Sequence, residues 1–406
     1  MITDTVLGPT WMTPGHFPQT GTLEARVRRE AFADDRSELG KDTLSKVPGY
    51  AQRYFKAGNL VEPLFDSSVT PKNGDDDIFA QIEKMIRGAE KNIQIEMFSL
   101  DKKDLVDLIC KTAKSGVKVQ IVMDPPNEER EDDKAAAIEK LRKAGCDVLL
   151  YPTREVGDPE AKFGQLNHVK MLLVDGKRAI IGGMNWGDHS PNNHDYDVQV
   201  EGPAVEQMSW LFREDWIKSG GDSKELPYIQ KQPAHPDGGA MVQLLTAAVD
   251  DDKLIGKTIR RAIDNARKSV HAELFVLTDR PTIAALKKAH ARGVDVKIIL
   301  NPLKIKGNEV NERAFAELKK AGVPIKWYVP NEATQENLHA KMAVFDDDQV
   351  IVGSANWSYA GFNTNREANV EVLSTKLADS FDTVFEKDWK NKTSDEPIYM
   401  DEPDNG

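Results

Sequence analysis

Cysteine is scarce in this chain of 406 residues, and long apolar runs and an excess of positive charge are missing from it. The two cysteines, Cys110 and Cys146, are too few for a disulfide framework, so we expect buried free thiols and a reducing, cytoplasmic setting. No apolar run approaches the roughly 20 residues that cross a bilayer. The first residues also lack the basic and apolar regions of a signal peptide. We therefore expect neither a membrane span nor a signal sequence.

Negative charge outweighs positive charge in the chain. There are 54 Lys and Arg against 66 Asp and Glu, which gives a formal net charge of -12. Binding to nucleic acid relies on clustered Lys and Arg, so the acidic balance makes nucleic acid the less favoured partner, although a local basic groove remains compatible with it. Part of the negative charge lies in residues 393–406, which we interpret as a solvated acidic tail.

An internal duplication organises the rest of the chain. Residues 75–100 and residues 251–277 both follow the pattern of an amphipathic helix, a basic turn and an apolar strand that carries a glutamate, Glu96 or Glu273. Further along, KSGVKVQIVMDP parallels ARGVDVKIILNP. Amphipathic helices that alternate with continuous apolar strands indicate an α/β lobe, and two such lobes are present.

The repeats and the composition between them predict the domain boundaries. We expect a linker at residues 223–238, because this stretch is rich in Gly, Pro and polar residues. The first 57 residues have no counterpart in the second half, and we interpret them as an extension packed on the first lobe. The complete prediction is an extension at 1–57, lobe one at 58–222, the linker, lobe two at 239–392 and the acidic tail.

Both lobes carry the same polar motif, His-x-Lys-x(4)-Asp-x(6)-Gly-x-x-Asn-Trp. Corresponding residues are separated by the same 171 positions, which makes chance a poor explanation. The members in lobe one are His168, Lys170, Asp175, Gly182, Asn185 and Trp186, and those in lobe two are His339, Lys341, Asp346, Gly353, Asn356 and Trp357.

The spacing of the motif suggests chemistry on a phosphodiester. His and Lys two positions apart share one face of a strand. Two imidazoles, two ammonium groups and two amides that converge on one point would bind a phosphate oxyanion. One imidazole could attack phosphorus while the other protonates the departing oxygen. This arrangement requires no metal and no cofactor.

The doubled His-Lys-Asp motif resembles the signature of the phospholipase D superfamily over about residues 60–392. The resemblance implies two homologous α/β lobes, each a mixed sheet flanked by helices, packed about a pseudo-twofold axis with one shared active site. It also implies that one His forms a covalent phosphohistidine while the other serves as general acid and then base.

Roles for individual residues follow from the resemblance. His168 is assigned as nucleophile and His339 as acid and base, with the order left open. Asp195 and Glu367 match the acids that orient the catalytic histidines. The expected phosphate-binding residues are Lys170, Lys341, Asn185, Asn356 and Ser354, and Gly183 departs from the family pattern because it replaces the serine of lobe one. We expect structural roles for Asp175, Asp346, Gly182 and Gly353, and a position at the cleft mouth for Trp186 and Trp357.

Several phosphodiesters fit the motif: phospholipids, nucleic acids and small head-group esters. The stretch VEGPAVEQMSWLFREDW, residues 200–216, resembles the corresponding segment of bacterial cardiolipin synthases and related phosphatidyltransferases, which favours phospholipid. We expect a monomer that contacts the membrane peripherally. A metal-independent nuclease of the same superfamily and a non-catalytic scaffold remain the alternatives, and the choice between hydrolysis and transfer stays open.

Overall fold

The computed structural model describes residues 54–396, except 67, 70–73, 127–131, 159–160, 252 and 303–309. Most of the predicted extension at 1–57 and the last residues of the predicted tail lie outside the described residues. Within them, no helix is both long enough and apolar enough to cross a membrane.

The first lobe alternates strands and helices in the order that the sequence predicts. Its strands are β1 (Lys56–Phe65), β2 (Asn92–Met97), β3 (Lys118–Met123), β4 (Asp147–Leu150), β5 (Arg154–Asp158), β6 (Ala161–Gln165), β7 (Lys170–Val174), β8 (Arg178–Gly182) and β9 (Tyr196–Glu201). Its helices are α1 (Ile78–Arg87), α2 (Lys103–Lys114), α3 (Asp132–Lys143) and α4 (Val205–Lys218).

The second lobe repeats this order. Its strands are β10 (Ala240–Ala247), β11 (Ser269–Leu274), β12 (Asp295–Leu300), β13 (Ile325–Tyr328), β14 (Lys341–Phe345), β15 (Gln349–Gly353), β16 (Glu367–Leu373) and β17 (Thr393–Ser394). Its helices are α5 (Leu254–Asn265), α6 (Arg280–Ala291), α7 (Glu312–Lys320), α8 (Tyr359–Asn363) and α9 (Thr375–Asn391). The short β17 corrects one boundary, because Thr393 and Ser394 pair with β13 rather than belong to a solvated tail.

The two lobes join in one continuous sheet of 15 strands. From one edge to the other the order is β4-β3-β2-β7-β8-β9-β1-β10-β16-β15-β14-β11-β12-β13-β17. The antiparallel pair β1–β10 stands in the middle, with Lys56 opposite Val242. Equivalent strands follow in the same order on either side of this pair, as a pseudo-twofold duplication requires. The predicted fold of two homologous α/β lobes is confirmed, and the structure adds that their sheets are fused.

Apolar packing explains why the helices lie where they do. The largest core cluster takes residues from both lobes and includes α4 and α9, with Phe212 and Trp216 on α4 and Phe381 and Phe385 on α9. Two further clusters are each confined to one lobe and pack α1–α3 and α5–α7 on the strands. The sheet is thus covered on both faces, which accounts for its continuous apolar strands.

Residues at the helix ends agree with the local sequence. In α1 the Asp77 side chain accepts a hydrogen bond from Ala80 N, and the helix ends at Gly88. In α9 the Ser374 hydroxyl accepts one from Leu377 N. Such caps satisfy backbone donors that the helix itself leaves unpaired. Cys110 and Cys146 are buried free thiols.

Candidate active site

The two motif histidines occupy equivalent places just before equivalent strands. His168 precedes β7, and His339 precedes β14, so that Lys170 and Lys341 are the first residues of their strands. Each histidine is 8% exposed, and both lysines are more deeply buried. Two His-Lys pairs with so little exposure need anionic partners, because an isolated buried ammonium group is costly.

Each histidine bonds to a carboxylate from the other lobe. His168 Nδ1 lies 3.0 Å from Glu367 Oε2, and His339 Nδ1 lies 2.7 Å from Asp195 Oδ2. His168 Nδ1 also lies 3.1 Å from the carbonyl oxygen of Ser354. Because Nδ1 is used in this way, Nε2 is the ring nitrogen left for a substrate. A carboxylate at Nδ1 fixes the ring orientation and its tautomer.

Backbone hydrogen bonds tie the same segments together. His168 N donates to the Arg366 carbonyl at 2.8 Å, and Arg366 N donates to Leu166 O at 2.8 Å. In the other half, His339 N donates to the His194 carbonyl at 2.8 Å, and His194 N donates to Asn337 O at 2.8 Å. Each histidine-bearing segment is therefore bridged to the opposite lobe beside its carboxylate, and the site is complete only when both lobes are present.

The two lysines and two phenylalanines surround the motif histidines. Lys170 Nζ donates to the His168 carbonyl at 2.6 Å and lies 5.1 Å from the centre of the Phe98 ring. Lys341 Nζ donates to the His339 carbonyl, lies 3.0 Å from His339 Nδ1 and stands 5.0 Å from the centre of the Phe275 ring. Neither phenylalanine was predicted from the sequence, although each lies two positions after the glutamate of its repeated strand.

Burial and mutual repulsion shape the charges of this site. Burial lowers the pKa of His168, as does the charge of Lys170, while Glu367 opposes the shift. Burial and the charge of Lys341 lower the pKa of His339 to about 4. Burial likewise holds the pKa of Lys170 well below its usual value, and it lowers that of Lys341 to about 8. At neutral pH without substrate, the imidazoles are therefore neutral and available as bases.

The serine of lobe two binds the orienting acid rather than facing a substrate. Ser354 is fully buried, and its hydroxyl donates to Glu367 Oε2 at 2.6 Å and accepts from Ala368 N. The predicted phosphate-binding role of Ser354 is therefore wrong. In lobe one, a Cβ at Gly183 would lie 2.3 Å from Asp195 Oδ1. Glycine is required at position 183 because the Asp195 carboxylate occupies the space that a side chain at this position would need.

The motif glycines pack closely against a second pair of polar residues, Asp197 and Asn369, which were not predicted from the sequence. Asp197 Oδ1 accepts from Met184 N at 3.1 Å, and Asn369 Oδ1 accepts from Ala355 N at 3.1 Å. A Cβ at Gly182 would lie 1.9 Å from Asp197 Oδ1, and one at Gly353 would lie 2.4 Å from Asn369 Cα. Burial and the charge of Asp195 raise the pKa of Asp197 to about 8, so at neutral pH Asp197 is largely uncharged, like its amide counterpart.

The motif aspartates hold turns and lie at the far ends of their strands. Asp175 adopts φ 55° and accepts backbone hydrogen bonds from residues 90–92. Asp346 adopts φ 46° and does the same for residues 267–269. Aspartate tolerates this left-handed conformation better than most residues. Their contacts are those of structural residues.

The Asn-Trp pairs divide between the site and the core. Asn185 and Asn356 are partly exposed, and their buried Oδ1 atoms accept no hydrogen bond from the described residues, so their role at phosphate stays a prediction. Trp186 and Trp357 are each 1% exposed and belong to the core clusters. The predicted cleft-mouth position of the two tryptophans is wrong, because their rings pack behind the site.

Among the described residues, one group of histidine and acids is compact enough for a metal ion: His194, Glu273 and Asp388. In this group Glu273 Oε2 and Asp388 Oδ2 lie 3.1 and 3.0 Å from His194 Nε2. These are hydrogen-bonding distances, so the imidazole is itself the partner of the two acids. The prediction that the reaction needs no cofactor remains a prediction.

Comparison with known proteins decides the family. The profile described as "Cardiolipin synthase, PLD-like domain" matches residues 82–216 and again residues 259–389, once in each lobe. The chain belongs to the phospholipase D superfamily. Within this superfamily it is similar to cardiolipin synthase A of Pseudomonas putida strain W619, with 29% identity over 86% of this chain and 72% of the relative. It is also 25% identical to the cardiolipin synthase of Alkalihalophilus pseudofirmus, over 88% of this chain and 75% of that protein.

A solved structure shows the same fold. Phosphatidylserine synthase of Haemophilus influenzae Rd KW20 superimposes with a TM-score of 0.66 over 93% of this chain and 94% of that one, at 13% identity. At this identity the likeness concerns the fold, which is the phospholipase D arrangement of two lobes. The substrate has to be argued from the site and from the sequence relatives.

Proposed function

We propose that the protein is a phosphatidyltransferase that acts on phospholipids through a covalent phosphohistidine. The observation that carries this proposal is the pair of crossed acid–imidazole contacts, Glu367 to His168 and Asp195 to His339, each beside a buried lysine. The named activity of its relatives, cardiolipin synthase, supports phospholipid as the substrate class. Cardiolipin joins two phosphatidyl groups through one glycerol, so its formation from phospholipid requires transfer rather than hydrolysis.

In the first step His168 Nε2 attacks phosphorus and forms a P–N bond. The bond from phosphorus to the departing head-group oxygen breaks, and that oxygen takes a proton from His339 Nε2. The charges of Lys170 and Lys341 stabilise the phosphoryl oxygens as negative charge develops there. An anionic substrate also offsets the lysine charges that lower the histidine pKa values, which favours the protonated form of His339 once substrate is bound.

In the second step His339 Nε2 accepts the proton of an incoming alcohol. The alcohol oxygen attacks phosphorus, the P–N bond breaks, and His168 is regenerated as a neutral imidazole. If the acceptor is the hydroxyl of a phosphatidylglycerol head group, the product carries two phosphatidyl groups. Water in the same position would give hydrolysis instead, so the outcome depends on how far the closed cleft excludes water.

The test is incubation of the full chain with mixed phospholipid vesicles that contain phosphatidylglycerol, with free glycerol and with single-stranded DNA, followed by mass spectrometry. We expect new diphosphatidyl lipid or head-group exchange with glycerol, and loss of both in Lys170→Ala. Cut DNA beside intact lipid would overturn the substrate assignment and favour a nuclease. Intact lipid and intact DNA, with bis(p-nitrophenyl) phosphate also untouched, would overturn the enzyme assignment.

A further inference from the structure

Two buried basic residues occupy equivalent positions directly before the acids that contact the motif histidines. His194 precedes Asp195, and Arg366 precedes Glu367. His194 is fully buried, and Arg366 is 4% exposed. These residues also supply the carbonyls that accept from the backbone N–H of the opposite catalytic histidine. One residue thus contributes its backbone to the site and its side chain to the interior behind the site.

The side chain of His194 is held by three carboxylates. Its Nδ1 lies 2.8 Å from Asp66 Oδ2, and its Nε2 lies 3.1 Å from Glu273 Oε2 and 3.0 Å from Asp388 Oδ2. A neutral imidazole has one N–H and could donate on one side of the ring, whereas carboxylates face both sides. Ser68 Oγ also lies 3.3 Å from Nδ1, farther than Asp66 Oδ2, so the closer carboxylates on both sides favour the doubly protonated ring. Glu273 and Asp388 come from lobe two, so this cation also links the lobes.

The side chain of Arg366 has the matching surroundings in the other half. Its Nε donates to Asp215 Oδ2 at 2.8 Å, and its Nη1 donates to Asp251 Oδ2 at 2.9 Å. Glu96, the counterpart of Glu273, also interacts electrostatically with Arg366, while burial and the charge of Asp215 raise the pKa of the Glu96 carboxyl. The acids come from equivalent elements: α4 and α9, β2 and β11, and the segments that follow β1 and β10.

We propose that His194 and Arg366 are positioning residues, a pair of buried cations that each lock the acid–imidazole contact of the shared site through the residue that follows them. When the side chain at 194 is anchored by three acids, the main chain at 194 and 195 is fixed against residues 337–339. The Asp195 carboxylate then meets His339 Nδ1 in a single arrangement. In the other half, Arg366 fixes Glu367 against His168 in the same way.

The electrostatic balance supports a charged ring at 194. Burial alone would lower the pKa of His194, but the charge of Asp66 and the close contacts with Asp388, Asp66 and Glu273 outweigh it and hold the pKa well above its usual value. Tyr328 stacks on the ring at 5.5 Å between ring centres, and Tyr196 contacts it edge-on at 5.4 Å. Loss of the positive charge would leave three buried acids without a cation beside them.

The first experiment needs no substitution. In the full chain labelled with 15N-histidine, we expect both ring nitrogens of His194 to carry protons at pH 7 and the His339 Nδ1 proton to resonate far downfield. A singly protonated His194 ring at pH 7 would overturn the proposal. A stoichiometric divalent ion, found by metal analysis and lost in Asp388→Asn, would also overturn it, because a metal would then carry the positive charge.

The second experiment separates positioning from folding. His194→Gln should lower kcat for bis(p-nitrophenyl) phosphate by about 10- to 100-fold, with KM changed less than about twofold and the His339 downfield signal lost. His194→Arg keeps the positive charge, as Arg366 does in the other half, and should restore kcat to within about tenfold and recover the signal. His189→Gln, at an exposed histidine five positions away, is the matched control.

The outcomes are independent of the lipid assignment. The inference deepens the proposed function and rests on it for the reaction that is measured. Wild-type turnover of bis(p-nitrophenyl) phosphate without any phospholipid product would sink the proposed substrate and leave the positioning role intact. Wild-type kcat together with an unchanged His339 signal in His194→Gln would sink the positioning role alone. If His194→Gln does not fold, the ring protonation of the wild type and the His194→Arg variant decide.

Discussion

The two halves of the site share a backbone frame but differ at four pairs of positions, two of which, the acid and the residue beside it, change together. Lobe one has Asp195 with Gly183, where lobe two has Glu367 with Ser354. Lobe one has Asp197 where lobe two has Asn369, and His194 where lobe two has Arg366. Each difference is compensated locally. Asp195 fills the space that a side chain at Gly183 would take, and burial makes the Asp197 carboxyl neutral like an amide. Three acids around His194 favour a positively charged imidazole. At these positions the two lobes share charge and geometry rather than residue identity, whereas the motif residues themselves are identical.

The sharpest way to break the equivalence of the halves is to remove each histidine. His168→Asn and His339→Asn should each lower steady-state turnover by about 10⁴-fold or more, because nucleophile and acid act as a unit. The variants should differ in single turnover of bis(p-nitrophenyl) phosphate. Its p-nitrophenolate departs without a proton, so His339→Asn should release one equivalent and leave a phosphorylated His168 that peptide mass spectrometry detects. The reverse pattern, with the burst in His168→Asn, would exchange the two roles.

Exchanging the residues beside the two acids, Gly183 beside Asp195 and Ser354 beside Glu367, should lower activity by unequal amounts. Gly183→Ser pushes a side chain into the Asp195 carboxylate and should lower kcat/KM by about 100-fold, since His339 loses its partner. Ser354→Gly removes one hydrogen bond to Glu367 and should cost about tenfold. Both are measured with bis(p-nitrophenyl) phosphate, with unfolding temperatures as a check on the fold. Equal losses of kcat/KM would mean that glycine and serine are interchangeable at these two positions.

The lysines should set the alkaline limit of activity. The pKa of Lys341 is about 8, so kcat/KM should fall as pH rises through this value and the ammonium charge is lost. Lys341→Arg retains its charge at these pH values and should shift the alkaline limb upward, even where the maximal rate is reduced. Because the pKa of Lys170 is also lowered, Lys170→Arg is the variant for comparison. A limb that neither variant moves would have to come from another group.

The smallest effect on rate, and one mainly on stability, is expected at Asp197. A carboxyl whose pKa is raised in the folded state to about 8 contributes most to stability below its unfolded pKa, and this contribution is lost as pH rises towards 8. Asp197→Asn copies lobe two and removes that loss. At pH 8 the free energy of unfolding of the variant should exceed that of the wild type by on the order of a few kcal/mol, and the variant should unfold at a higher temperature. The difference should be smaller at pH 4. A constant difference across this range would show that Asp197 is charged in the folded protein.

The sequence by itself determined the duplication, the α/β character of both lobes and the two His-Lys pairs. These features are local: helix and strand periodicity, and residues two positions apart on one strand, are fixed by the chain within a few residues. The family resemblance also pointed to Asp195 and Glu367, acids that lie 20 and 21 positions after the motif aspartates and align with a one-residue offset.

Tertiary structure alone decided which acid meets which histidine and what lies behind the site. The crossing of Asp195 to His339 depends on how the lobes join, which no spacing within one lobe can reveal. Trp186 and Trp357 were predicted at the cleft mouth and lie in the core, because the side on which a ring packs depends on neighbouring elements. In the sequence, the histidine at 194 and the arginine at 366 do not look like equivalent residues. They become counterparts only when three acids from distant parts of the chain converge on each, since burial of a charge is a property of the packed structure.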